Sequence, residues 1–322
     1  MSGGDLLILG DCNPDILVAG ADVIPEFGQR EKLVDEISLV IGGSAAITAV
    51  AAARLGLRVA LVAAVGDDPA GRFLLGQLTA EGVNVSAMAI RPGVPTGATV
   101  ALSRGQDRAI LTATGAMTEL TAADVPAALL ARVRHLHAGS YFLVERSLGP
   151  GLADLFARAR AAGVTTSLDT NWDPSERWGG DQLRGIRAQT GVLMPNEAEA
   201  LRISGTDSLA EAAEVLTATG SRLAVKCGAE GALCVDGAGG ARHTVVLPPV
   251  QAMDTTGAGD CFNAGLITGL LRGLDLPRAA ALGCAVAAAS TQAMGGTGAT
   301  LDLATAMTAA AAASIAQPHL FP

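Results

Sequence analysis

The chain has 322 residues, half of them hydrophobic, and a formal net charge of −9. That length can bury a large core around one sheet or form two domains, and the acidic balance excludes the basic footprint that nucleic-acid binding demands. Lys32 and Lys226 are its only lysines, so phosphate chemistry is expected to rest on arginine, backbone N–H groups or metal.

No basic stretch precedes the first apolar run, 6–9, which is too brief for a signal-peptide core or a membrane span. A soluble, cytoplasmic protein with neither nucleic-acid nor membrane partners is the expectation. Aliphatic and β-branched runs at 6–9, 59–65, 133–137, 164–168, 191–194 and 223–226 predict strands. Between them, 43–55, 70–81, 148–162 and 209–219 predict helices, each followed by a glycine at the stop position: Gly56, Gly82, Gly163 and Gly220. This alternation is that of a parallel sheet covered by helices, an α/β layer fold. Two segments break it. Residues 16–40 lack a helical period and contain Pro25 and Gly28, and 97–112 read as two strands around Arg104-Gly105-Gln106-Asp107. Strands inserted between helical units do not easily join the parallel core, so they predict a small β-sheet lid on one domain spanning 1–322. His135 and His137 share one face of a predicted strand, but without nearby cysteines or acids a polar strand end is preferred to a zinc site. Five scattered cysteines with no C-x-x-C pair read as small core residues in a reducing compartment.

The most informative segment is Asp254-Thr255-Thr256-Gly257-Ala258-Gly259-Asp260, which opens an apolar helix. Small residues at a loop-to-helix junction let a phosphate approach the backbone, where free N–H groups and the positive end of the helix dipole bind it. Gly257, Ala258 and Gly259 thus form a candidate anion hole. Asp260 follows in the first turn, within reach of an attacking hydroxyl, and the dipole is expected to keep it ionised. A carboxylate suffices as base, because a loose phosphoryl-transfer transition state asks mainly for orientation and late proton removal. For a lone Gly-Ala-Gly-Asp the structural alternative is a helix cap. Neither a P-loop nor a dinucleotide fingerprint competes for the phosphate role.

With five other pieces in order, this segment resembles the signature of the PfkB family of carbohydrate kinases, the ribokinase-like fold. The others are Gly10-Asp11-Cys12-Asn13-Pro14-Asp15, Gly42-Gly43-Ser44-Ala45-Ala46, Val65-Gly66-Asp67-Asp68-Pro69-Ala70-Gly71, Met194-Pro195-Asn196-Glu197-Ala198-Glu199 and Lys226-Cys227-Gly228-Ala229-Glu230-Gly231-Ala232. The resemblance implies a three-layer α/β/α sandwich with a small β-sheet lid, ATP and Mg2+ as cofactors, and Asp260 as catalytic base beside the Gly257, Ala258 and Gly259 anion hole. It assigns Asn13, Asp15, Gly42 and Gly43 to the substrate, and Lys226, Gly228 and Gly231 to the nucleotide. Asn196 and Glu199 would organise magnesium-bound phosphates, and the plainer reading, Asn196 as N-cap with Glu199 at the capping-box position, is compatible with that role. Asp254 and Thr256 match positions that ligate K+, alongside backbone carbonyls from 288–298. A homodimer through the lid is the partner expectation.

Two departures bear on the substrate. Ile47 stands where many relatives carry asparagine, and Asp173 where arginine often serves acidic sugars, so a neutral sugar or polyol is favoured. A nucleoside kinase on the same fold is the alternative, for which Tyr141, Phe142 and Trp172 are candidate stacking rings. A non-catalytic nucleotide-binding protein is disfavoured by the coexistence of Asp260 with the anion hole.

Overall fold

The computed structural model describes residues 4–104, 107–299 and 302–317. Leu6–Leu9 shows how its layers arise. All four side chains are buried, and they split by alternation: Leu6 and Ile8 join one apolar cluster, Leu7 and Leu9 the other. A strand apolar on both faces belongs at the centre of a parallel sheet, and Leu6–Leu9 pairs in parallel with Val59–Val62 on one side and His135–Ala138 on the other. The sheet continues in parallel through Thr165–Leu168, Val192–Leu193 and Arg222–Lys226, then turns antiparallel through Ala232–Val235, Arg242–Val246 and Ser314–Ala316. Helices Ser44–Arg54, Ala258–Leu271 and Leu276–Ser290 cover one face, and Tyr141–Ala161 and Leu209–Thr217 the other, completing an α/β/α sandwich.

The two irregular segments pair with each other. Glu36–Gly42, Asn13–Ala19, Ala98–Arg104 and Asp107–Ala113 form a separate four-stranded sheet in that order. The predicted turn at Gly105-Gln106 lies outside the described residues. Each face of this sheet has its own chemistry. One carries the row Val40, Asp15, Thr99, Thr112; the other carries Leu39, Ile16, Val100, Leu111 and then Ile37, Val18, Leu102, Ala109. Among the described residues, no helix is long and apolar enough to cross a membrane.

Candidate active site

Parallel strands deliver their following residues to one edge of the sheet. Leu6–Leu9 leads to Asp11, His135–Ala138 to Ser140, Thr165–Leu168 to Asp169, and Arg222–Lys226 ends on Lys226 itself. Helix Ala258–Leu271 begins beside them, with Asp260 in its first turn. Burial, then the negative charge of Asp169, pushes the Asp260 carboxyl up to about 8. The expected effect of the helix dipole is therefore overridden by desolvation, and Asp260 is a stronger base than an exposed aspartate.

Gly257 is the residue before that helix, at φ 71°, and a Cβ on it would lie 2.6 Å from Gly296 Cα and 3.1 Å from Ile47 Cγ2. Only glycine fits there. Ile47 therefore packs under the loop and is not turned to a substrate. A Cβ on Gly259 would lie 3.5 Å from Lys226 Nζ, which puts the ammonium beside the anion hole. This position is compatible with the nucleotide role that the family resemblance assigns to Lys226. Lys226 also donates to Asp169 Oδ2 at 2.6 Å, and Asn263 donates to the same oxygen. Burial opposes the charge on both partners. The ammonium holds the Asp169 carboxyl below its usual range, while Asp169 and Glu199 keep Lys226 above its own.

On the four-stranded sheet, Asn13 Nδ2 donates to Asp15 Oδ1 at 2.8 Å and to Thr99 Oγ1 at 3.1 Å, and Thr99 meets Thr112 at 3.1 Å. These form one polar row on the inner face. Gly42 makes room for that row: a Cβ there would lie 1.9 Å from Asp15 Oδ1, so the space it vacates is filled by the carboxylate. Gly43, at φ 88°, starts helix Ser44–Arg54, and Asp11 accepts from the Ser44 and Ala45 N–H groups. Burial raises Asp15 to about 7. Charge-assisted hydrogen bonds to hydroxyls contribute about 1.5–3 kcal/mol, so Asp15→Ala is expected to lower kcat/KM for the alcohol by about ten- to a hundredfold. Steady-state kinetics should show the KM for the nucleotide moving much less; the reverse pattern would relocate Asp15.

On the other side of the anion hole, a cavity of about 280 Å³ is walled by Leu247, Pro249, Phe262 and Ala288 and reaches Gly228 and Lys226. Its apolar walls suit a flat base, with phosphates directed to the helix start. Gly231 borders the cavity, yet it is needed for the turn, since a Cβ would strike the Val245 carbonyl. Asn196 caps helix Glu197–Ser204 in a complete capping box with Glu199. Both Glu199 oxygens accept from Asn196, and burial followed by the Asp169 charge raises Glu199 to about 7. A magnesium ion would therefore be held through water, a fit to its preference for a retained hydration shell. Asp254 accepts from Thr256 N and Oγ1 and from Gly295 N, which fastens the loop after helix Leu276–Ser290 to the loop before helix Ala258–Leu271.

Several residues of this site escaped sequence reasoning. Asp11, Ser44, Ser140, Asp169, Asn171 and Asn263 meet here; Asn171 Nδ2 donates to Ser44 Oγ at 3.0 Å and Ser140 Oγ at 3.2 Å. For Asp11, Ser140, Asp169 and Asn171 the available signal was a polar residue just after a predicted strand; Ser44 and Asn263 lie in helices and gave no such signal. Asp173 is a correction of the opposite kind. Its carboxylate accepts from Ser175 N and Oγ, Arg177 N and Trp178 N, so it locks its own loop and says nothing about substrate charge. Tyr141 and Phe142 are buried in the core, while Trp172 is exposed and meets Trp178 edge-on at 4.6 Å. Four of the five described non-glycine residues with left-handed φ, Ser140, Asn171, Glu176 and Trp178, lie on this wall, so backbone strain gathers at the site.

The pfkB family carbohydrate kinase model matches residues 5–302. An uncharacterized sugar kinase of Archaeoglobus fulgidus is 30% identical, the match covering 73% of this chain and 92% of that protein. A cytidine kinase of Thermococcus kodakarensis is 27% identical, covering 87% and 93%. Among solved structures, a putative ribokinase II of E. coli in complex with ATP and Mg2+ superimposes with a TM-score of 0.82 at 24% identity, covering 95% of this chain and 98% of that one.

Proposed function

The chain belongs to the pfkB family of carbohydrate kinases, which are phosphotransferases, and on that premise we infer that it transfers the γ-phosphoryl group of ATP to a hydroxyl of a small neutral sugar or polyol. The observation that carries this reading is Asp260 in the first turn of helix Ala258–Leu271, directly after the Gly257, Ala258 and Gly259 backbone, with Lys226 beside Gly259 and Asp11 close enough to act on its carboxyl; the polar row of Asn13 and Asp15 supports the acceptor side of the reading. The substrate hydroxyl donates to Asp260, which orients it and accepts its proton late in transfer. Backbone N–H groups and the Lys226 ammonium stabilise the charge on the transferring phosphoryl. Magnesium, held through water near Glu199, would neutralise phosphate charge.

Preference for a neutral substrate now rests on Asp11, Asp15 and Asp260, whose carboxyl oxygens accept from hydroxyls and whose ionisation, already opposed by burial, a further negative charge beside them would oppose more strongly. A nucleoside acceptor is the second reading, favoured by the exposed ring of Trp172 next to Asn171. A panel of sugars, polyols and nucleosides with ATP and magnesium, read by ADP release, tests both. Turnover confined to nucleosides would overturn the first, and no release with any alcohol would count against both.

Two finer expectations follow. Asp254 and Thr256, tied to the 288–298 loop, are proposed to hold K+ with backbone carbonyls, so replacing potassium by tetramethylammonium should lower kcat; equal rates would remove that role. The outer lid face leaves Ile37, Leu39 and Leu111 more than half exposed within two wholly apolar rows. A second copy covering it would give a homodimer. Analytical ultracentrifugation is expected to show a dimer that Leu39→Asp converts to monomer.

A further inference from the structure

At the amino-terminal edge of the sheet, opposite the edge bearing Asp169 and Lys226, lies a groove of about 690 Å³. Arg134, Arg160 and Arg222 wall it together with Leu270, Leu271 and Leu274, and none of the described residues that line it carries a carboxylate. Helix capping accounts for two of the arginines: Arg134 donates to Leu271 O at 2.6 Å and Arg160 to Ala188 O at 3.2 Å. It does not account for Arg222, whose side chain makes no hydrogen bond or ion pair among the described residues, while its backbone N–H donates to Gly191 O. Asp5 comes only within 3.9 Å of Arg134.

The groove also touches the buried histidine pair that the phosphoryl-transfer site leaves unexplained. His135 and Thr165 border it, with His135 Nδ1 and Thr165 Oγ1 2.7 Å apart. His135 Nε2 then meets Ser167 Oγ at 2.7 Å, and Ser167 Oγ meets His137 Nδ1 at 2.8 Å. Strand alternation sets Thr165, Ser167 and Asp169 on one face, as it does His135 with His137 and Arg222 with Lys226. The result is a polar track running under helix Ala258–Leu271 from the groove to the catalytic edge. Two buried polar atoms with no hydrogen-bond partner among the described residues, His137 Nε2 and Asn263 Oδ1, belong to this track. Orphaned groups of this kind in a buried network call for a role.

We propose that the groove is a second binding site, for a small organic phosphate, whose occupancy is transmitted to the Asp169–Lys226 pair through the His135–Ser167–His137 chain. Guanidinium forks match phosphate oxygens, the leucines cover an apolar portion, and the volume suits a small molecule. An anion beside Arg222 and His135 favours a more positive His135 ring. Ser167 can both donate and accept, so the chain has two hydrogen-bond directions, and the direction selected alters what His137 presents to Asp169.

This inference goes beyond the kinase reading, and its first readout requires no turnover. The full chain, labelled with 15N-histidine and saturated with magnesium and a nonhydrolysable ATP analogue, is titrated with phenyl phosphate, with phenol and inorganic phosphate as separate arms. The His135 ring resonances are expected to shift saturably with phenyl phosphate, more weakly with phosphate and not with phenol, followed by those of His137. Arg222→Gln should raise the concentration needed by at least about tenfold. In turnover assays phenyl phosphate should change the wild-type rate by about twofold or more and leave Arg222→Gln unaffected, with its rate in the absence of phenyl phosphate equal to wild type. Unmoved His135 signals, or equal shifts in Arg222→Gln, would overturn the site. A shift at His135 that reaches neither His137 nor the rate would overturn the connection.

Discussion

Asp260→Asn is expected to lower kcat by at least about two orders of magnitude, the usual consequence of removing a positioned base, while nucleotide binding is nearly retained. Turnover within about tenfold of wild type would remove Asp260 from that role. The same carboxyl sets a pH dependence. Burial raises it to about 8, and only the ionised form accepts a proton, so the rate should climb as pH rises through that value. Stability should move the other way. An acid whose folded value lies above its unfolded one favours the fold at low pH, and stability is lost as pH rises from about 4 toward the folded value. Asparagine carries no such penalty. The inactive variant is therefore expected to melt at a higher temperature than wild type at pH 7.5, a result that a role in helix capping alone does not produce.

Lys226→Met is the second large effect. It removes the ammonium from a pair in which Lys226 and Asp169 side chains are 13% and 4% exposed. An uncompensated buried charge costs about 3–5 kcal/mol, so the melting temperature should fall by several degrees or more. Asp169→Asn in the same chain should restore part of that loss, because the charge left behind is then gone. Without the nearby ammonium Asp260 rises further, so residual activity should shift to more alkaline pH. A variant that melts like wild type would show that the pair does not hold the site together.

Much of the scaffold was legible locally. The all-apolar Leu6–Leu9, the helix-ending glycines and the two irregular segments that pair into the separate four-stranded sheet each carry their meaning within a few residues. Helix Tyr141–Ala161 was read only from 148 onward, because Gly149, Pro150 and Gly151 mimic a break that the packed helix tolerates. The antiparallel strands Ala232–Val235 and Arg242–Val246 were not predicted, being short and separated by a glycine-rich turn. In the candidate site, Gly257 and Asp260 were legible because the glycine loop and the acid at the start of helix Ala258–Leu271 are contiguous in the chain. The Lys226–Asp169 pair was not, since 57 residues separate its partners and only the sheet order joins them. Nor was the true role of Asp173, whose four donors are set by loop geometry that composition does not reveal.

The edge-on contact between Trp172 and Trp178 has a practical side. These are the only two tryptophans in the chain, and both lie on the wall that begins at Asn171. Intrinsic ultraviolet emission from the unlabelled protein thus originates at a single spot beside the reactive edge, one indole exposed and the other enclosed. Any ligand that settles there dims or shifts that light, giving the protein its own optical sensor for candidate acceptors before any phosphate is transferred.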